Sequence, residues 1–281
     1  MISELHYDPK APTASETSAG ITDGDDFEFV EMRNISATAT LNLNGVHFTA
    51  GIAYTFPATT LAPGATLVVP RRASAFALRH SGVPTAPEYY QASGNVFSNN
   101  GEAVVLADAT GADIVRFTYG IALPWPATPH GSGPSLVLIA PTTNPDPANP
   151  LHWRASASDD GNPGTSDALA LPANLLGDDN GNGITNLVEH ALGAGAFPSI
   201  GSATVLGASY VTFTLERNAL ADVSWDLESS ATLAGWTPAG AAYAITARNP
   251  LPGGVERVTL RALAPASGSA YFLRAKLTAQ P

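Results

Sequence analysis

Asp26-Phe-Glu-Phe-Val-Glu-Met32 alternates in polarity, with Phe27 and Phe29 on one face and Glu28 on the other. A two-residue period marks a half-buried strand, because successive side chains leave a pleated backbone on opposite sides. A regular strand here puts Glu28 in solvent. Outward from this stretch, similar short runs recur at 2–7, 41–46, 47–49, 53–56, 65–69, 95–97, 102–107, 113–119 and 135–139, separated by Gly, Pro and Asp. Residues 73–80 are the one helix-like piece in this half, with Phe76 and Leu78 as apolar candidates and Gly82 as the stop. Short strands at regular spacing predict an all-β sandwich or barrel.

The alternation returns from about Ser202. Val211, Phe213 and Leu215 share a face, as do Val223, Trp225 and Leu227, then Val258 and Leu260. Leu273 and Leu277 lie opposite Arg274 and Lys276, and Leu251-Pro-Gly-Gly254 forms a hairpin-type turn. A second, smaller β-sandwich is expected over 198–281.

Between the two lies Asp178-Asp-Asn-Gly-Asn-Gly-Ile-Thr-Asn-Leu-Val-Glu189, which fits the calcium-loop template D-x-[DN]-x-[DN]-G-x5-E. A hard cation takes six to eight oxygens, and a tight loop offers them at alternate positions. The expected ligands are Asp178, Asn180 and Asn182 by side chain and Ile184 by its carbonyl. Asn186 serves directly or through water, and Glu189 closes the shell with two oxygens. Gly183 occupies the sixth position, where the chain turns sharply. The competing reading is a solvated Asn/Gly linker. With two carboxylates among the ligands, affinity for Ca2+ should be weak, roughly 0.1–1 mM. Residues 186–192 read as a short helix ended by Gly193, with Leu187, Val188 and Leu192 available for burial. One loop with one clear helix suggests a structural clip that restrains a linker (169–197) between domains at 1–168 and 198–281.

Composition narrows the function classes. The 281 residues carry a net charge of −11, with 13% charged and 44% hydrophobic residues. Lysines occur only at Lys10 and Lys276, and Arg71-Arg72 is the sole adjacent basic pair. Nucleic-acid binding needs clustered cations to displace counterions from phosphate, and that footprint is missing. No apolar run approaches the length of a membrane span. The absence of cysteine suits an export route. Ile2 already reads as strand, so the expectation is a trimmed or mature segment of a longer exported protein, located outside the cell or on its surface.

Several ordered motifs carry a family resemblance. Ile2-Ser-Glu-Leu-His-Tyr-Asp-Pro9 and Phe27-Glu-Phe-Val-Glu-Met-Arg-Asn34 are similar to the opening of a bacterial lamin-tail domain. So are Tyr54-Thr-Phe-Pro57, Leu61-Ala-Pro-Gly64, Asn99-Asn-Gly-Glu-Ala-Val-Val-Leu106 and His152-Trp-Arg154. The resemblance covers residues 1–168 and implies an immunoglobulin-like β-sandwich. Val46 departs from it, standing where such domains often place Trp. It also implies an interaction or accessory module of a large exported protein, which can adjoin a catalytic domain in the parent polypeptide. The loop and helix at 178–192 resemble calcium linkers related to dockerin and thrombospondin type 3 repeats. Ser229-Ser230, Trp236 and Tyr271-Phe-Leu-Arg274 resemble the C-terminal β-domain that often follows such linkers.

Catalytic constellations are scarce. No H-E-x-x-H, Walker loop, G-x-S-x-G or G-x-G-x-x-G occurs. The six histidines (His6, His47, His80, His130, His152, His190) lack helical ligand spacing, and each reads as a residue with an ordinary hydrogen bond, His190 in solvent. No enzyme activity is expected. The favoured reading is a non-catalytic, calcium-rigidified module whose partner is a protein or a cell-surface polymer. One alternative is a carbohydrate-binding module using Trp125, Tyr89 and Tyr90 as exposed aromatics. Another is a hydrolase with a metal at the Asp25–Glu31 cluster, since Glu4, Asp8, Asp25, Asp26, Glu28 and Glu31 are candidates for a second cation site or an acid–base pair, with simple exposure as the competing reading. Asp159 and Asp160 read as a solvated loop.

Overall fold

Ten short strands run along the first part of the chain among the described residues, which are 1–92, 94–266 and 271–279 in the computed structural model. The expected C-terminal sandwich is therefore described without 267–270 and 280–281. The strands are β1 (Ile2–His6), β2 (Phe29–Arg33), β3 (Leu41–Asn42), β4 (His47–Ala50) and β5 (Thr60–Leu61). There follow β6 (Thr66–Pro70), β7 (Ala103–Ala107), β8 (Asp113–Thr118), β9 (Pro134–Leu138) and β10 (Trp153–Asp159). The chain divides into two compact units, one over Met1–Asp167 and one beginning at Ala168.

In the first unit an antiparallel sheet of order β10-β9-β1-β2-β6 faces a smaller sheet of order β4-β7-β8. Their inward side chains make one core. Ile2, Leu5, Val30, Leu136 and Trp153 come from the larger sheet, and Phe48, Val104, Leu106, Val115 and Phe117 from the smaller. Removing these side chains from water is the main force holding the layers together, about 2 kcal/mol for each large residue fully buried. Val46 is buried in the same core, so the smaller side chain is accommodated there.

The larger sheet is covered on its other face as well. Every residue of β1 is buried. Helix α1 (Ala14–Ser18) starts on a capping box, Thr13 with Glu16. Helix α2 (Ala73–Arg79) buries Ala75 and Phe76, while Leu78, expected as a core candidate, is 49% exposed. Phe76 packs edge-on against Phe29 and clusters with Val68 over the outer face of the sheet. Arg79 lies 3.4 Å over the Phe27 ring and pairs with Glu16 and Asp160.

Several sequence expectations are corrected. The run at 41–46 shortens to β3, and 53–56 leaves only an isolated bridge from Thr55 to His47. The run at 95–97 is loop, held by the buried Phe97. Residues 26–32 are not one strand, since Gly24–Phe27 is a 3-10 turn and β2 starts at Phe29. Strand β10, which ends at the Asp159 read as solvated loop, pairs with β9 as the edge of the larger sheet.

The second unit has strands β11 (Ser199–Val205), β12 (Ala208–Asn218), β13 (Val223–Ser230), β14 (Thr237–Pro238), β15 (Tyr243–Leu251), β16 (Val255–Ala262) and β17 (Phe272–Ala279). They form sheets of order β11-β12-β16-β15 and β14-β13-β17. Phe213, Leu215, Val258 and Leu260 are buried on the first sheet, and Val223, Trp225 and Leu227 on the second. The hairpin expected at 251–254 joins β15 to β16. The near-fully buried Arg217 shares Glu256 with Arg248. Burial works against ionising Glu256, yet the two guanidiniums hold its carboxyl below the usual range. Arg274 lies 4.2 Å over the Trp236 ring, tying β17 to the turn after β13. Both units are antiparallel β, and the fold class is all-β.

Candidate metal centre

Helix α3 (Asn186–Leu192) follows the candidate calcium loop in the second unit and matches the expected span, with Gly193 at φ +58° as its cap. Leu192 and Ala191 are buried, while Leu187 and Val188 are half-buried. His190, expected in solvent, is half-buried, with ring Nε2 2.9 Å from the Ala221 carbonyl oxygen.

Loop side chains bond forward onto the backbone and curl it inward. Asp178 accepts from the amides of Asn182 (3.1 Å) and Gly183 (2.7 Å). Asn180 Oδ1 accepts from Asn182 N at 3.1 Å, and Asn182 Oδ1 accepts from Ile184 N at 2.8 Å. Gly183 sits at φ +85°, a backbone state that strains any residue with a Cβ. From the helix side, Glu189 Oε1 accepts 2.7 Å hydrogen bonds from the Asn180 and Asn182 side-chain amides. The side chains at loop positions one, three, five and twelve are thus linked through the Asn182 backbone and the Glu189 carboxylate.

Asn186 does something else. Its Oδ1 accepts from Asp179 N (3.2 Å) and its Nδ2 donates to the Asn174 carbonyl (2.7 Å). Asn186 N also donates to Gly177 O, and Leu187 N to Leu175 O. This side chain closes the neck of the loop and is not gathered with the others. Among the described residues no three His, Asp or Glu side chains form a metal-ligating group, and the loop itself brings only two expected carboxylate ligands, Asp178 and Glu189.

The carboxylates of the first unit are dispersed into separate roles. Glu28, expected in solvent, has no exposed surface, and Oε2 accepts from the Tyr89 hydroxyl (2.9 Å) and Phe97 N (3.1 Å). Burial pushes its pKa well up. Glu4 and Glu31 face each other across β1 and β2, and both are buried. Glu4 accepts from Ser135 Oγ (2.5 Å) and Asn162 N (2.9 Å), and burial raises its pKa to about 8. Glu31 accepts from Ser3 Oγ (2.6 Å) and Gly164 N (2.6 Å). Asp26 pairs with Arg71 and Arg72, and Asp25 accepts from Asn99 Nδ2 at 3.1 Å. Asp8 pairs with His130, 2.6 Å from its Nδ1. Asp159 pairs with Lys10 and Asp160 with Arg79, so neither is simply solvated.

The aromatic candidates are also displaced. Trp125 is 7% exposed and packs near Phe117 and Trp153, and Tyr89 is 3% exposed. Tyr90 stays open at 41%, beneath Arg71 and Arg72. His6 departs from the ordinary pattern: it is buried against Phe29, and neither ring nitrogen meets a hydrogen-bond partner among the described residues. Burial lowers its pKa to about 3.

The first unit is thus an immunoglobulin-like β-sandwich. Residues 1–120 match the family model described as Lamin Tail Domain, whose members are in general non-catalytic sandwiches. The matched span ends before β9 and β10, which complete the larger sheet. No curated protein matches the chain. No solved structure matches it either. Among the described residues no helix is long and apolar enough to cross a membrane.

Proposed function

We propose that the chain is a non-catalytic interaction module whose second unit carries a calcium clip. The observation behind the clip is the meeting of Asn180 and Asn182 on Glu189 Oε1, beside an Asp178 carboxylate already fixed by two loop amides. The amide hydrogens bring to Glu189 the positive charge that a cation would bring. Asp178, Asn180, Asn182, the Ile184 carbonyl and Glu189 would hold the ion, and all five offer the hard oxygens calcium prefers. Asn186 would act on the loop neck rather than on the ion. Bound calcium would tie the segment before residue 186 to helix α3, which packs on β12. An affinity of roughly 0.1–1 mM fits a calcium-rich setting outside the cell, as part of a longer exported or surface protein. The partner would be a protein or a surface polymer, recognised on the sandwiches rather than at the loop.

Calorimetric titration with calcium tests the reading. Binding in the stated range, lost in Glu189→Ala with the fold retained, is the expected result. No heat at millimolar calcium, or unchanged binding in the variant, defeats it.

A further inference from the structure

The edges of the sheets differ sharply in how they are protected. An edge strand presents unpaired backbone donors and acceptors, and soluble proteins blunt it with charge, proline, short length or a covering segment. In the first unit β10 carries Arg154 and Asp159, and β8 carries Asp113 and Arg116. Strand β6 ends in Pro70 and is bridged by Thr85, β4 is bridged by Thr55, and β3 and β5 have two residues each. In the second unit β15 carries Arg248 and Pro250, β17 carries Arg274 and Lys276, and β14 has two residues. Strand β11 has none of these devices among the described residues. It reads Ser199-Ile-Gly-Ser-Ala-Thr-Val205, and five of its seven residues are exposed. Two large apolar side chains stand out from it and its turn, Ile200 at 58% and Leu206 at 103% exposure.

We propose that β11 is the self-association edge of this protein, pairing antiparallel with β11 of a second copy about a two-fold axis. Two features of the strand select a copy of itself. First, copies with a net charge of −11 repel, and contact is easiest where no carboxylate stands. His190 aside, no ionisable acid or base other than Tyr210 lies between Glu189 and Glu216, so β11 and its hairpin form such a surface. Second, the strand is self-complementary in one register. Centring the two-fold on Ala203 brings Ile200 beside the hairpin turn of the second copy, where Leu206 follows the last strand residue Val205 at φ +50°, and the reverse, so that each of the two exposed apolar side chains is covered once. The same register sets Ser202 opposite Thr204, a favourable hydroxyl pair, and Val205 opposite Gly201, large against small. Main-chain hydrogen bonds supply the affinity and the side-chain order fixes the register, with the same patch on both partners.

Sedimentation of the whole chain across a concentration series tests this, with circular dichroism and melting of each variant as the folding control. The wild type should dimerise, and Ile200→Lys should weaken association at least about tenfold, as a lysine blunts the edge. Ile200→Lys with Leu206→Glu should restore dimerisation, because each lysine then lies beside a glutamate of the other copy. Both side chains are more than half exposed, so folding should survive. A wild type that stays monomeric up to about 0.2 mM, weaker than ordinary specific pairing, overturns the proposal. So do an Ile200→Lys variant that dimerises like wild type and a double variant that stays monomeric. Calcium binding by the loop is unaffected in each case, so the two readings fail separately.

Discussion

Glu28 shows what a single buried carboxylate does in this fold. It ties the segment before β2 to the loop at Phe97 and to the Tyr89 hydroxyl, and burial favours its neutral form. Glu28→Ala leaves two buried donors unpaired and should cost about 2–3 kcal/mol in urea denaturation. Glu28→Gln keeps an acceptor for both and should cost much less; equal losses in the two would contradict the assignment. Glu4 and His6 each contribute to the pH response of the first unit. Glu4, raised to about 8 from 4.5, favours folding most below 4.5, and that contribution fades as pH rises toward 8. His6, lowered to about 3 from 6.5, favours folding above 6.5 and loses that contribution as pH falls toward 3. Melting of the first unit should flatten on the alkaline side in Glu4→Gln and on the acid side in His6→Phe. A wild-type profile that the variants leave unchanged would count against both shifts. Strand parity could not reveal any of this, because alternation says which side chains share a face and not whether that face is covered. Here α2 and the segment near Asn162 cover the second face of the sheet.

At the scale of elements, the glycine turn at Gly183 and helix α3 were legible because their signals are local. Template spacing, a glycine at the sharp turn and a glycine cap all act within a dozen residues. The hydrogen bonds of Asn186 were not legible, since its partners at Asn174 and Asp179 depend on how the neck closes. Asn186→Ala should therefore destabilise the second unit by about 1–2 kcal/mol with or without calcium. Glu189→Ala should matter mainly when calcium is present. Melting both variants in calcium and in chelator separates the roles, and an Asn186 effect confined to calcium would return that residue to the ligand shell. The exposed-aromatic alternative for Trp125 fails for a related reason. Flanking prolines mark a loop, but the loop folds over Phe117 and Trp153, a contact far away in sequence. Strand β10 escaped notice because its Ser- and Asp-rich end looks like a turn until β9 pairs with it.

For the whole molecule, the two sandwiches follow from alternation and turn chemistry spread over the entire chain, and those signals add up. The charge balance is also a global property, and it makes the unprotected β11 edge conspicuous. A ligand that binds only the folded state of one unit raises that unit's stability by mass action, about 1.4–2.7 kcal/mol at ten to a hundred times its dissociation constant. Differential scanning calorimetry in calcium and in chelator is the most direct measurement. The account predicts that calcium raises the transition of the second unit and leaves that of the first in place, and that Glu189→Ala abolishes the shift. Transitions that ignore calcium, or that move equally in Glu189→Ala, would contradict it.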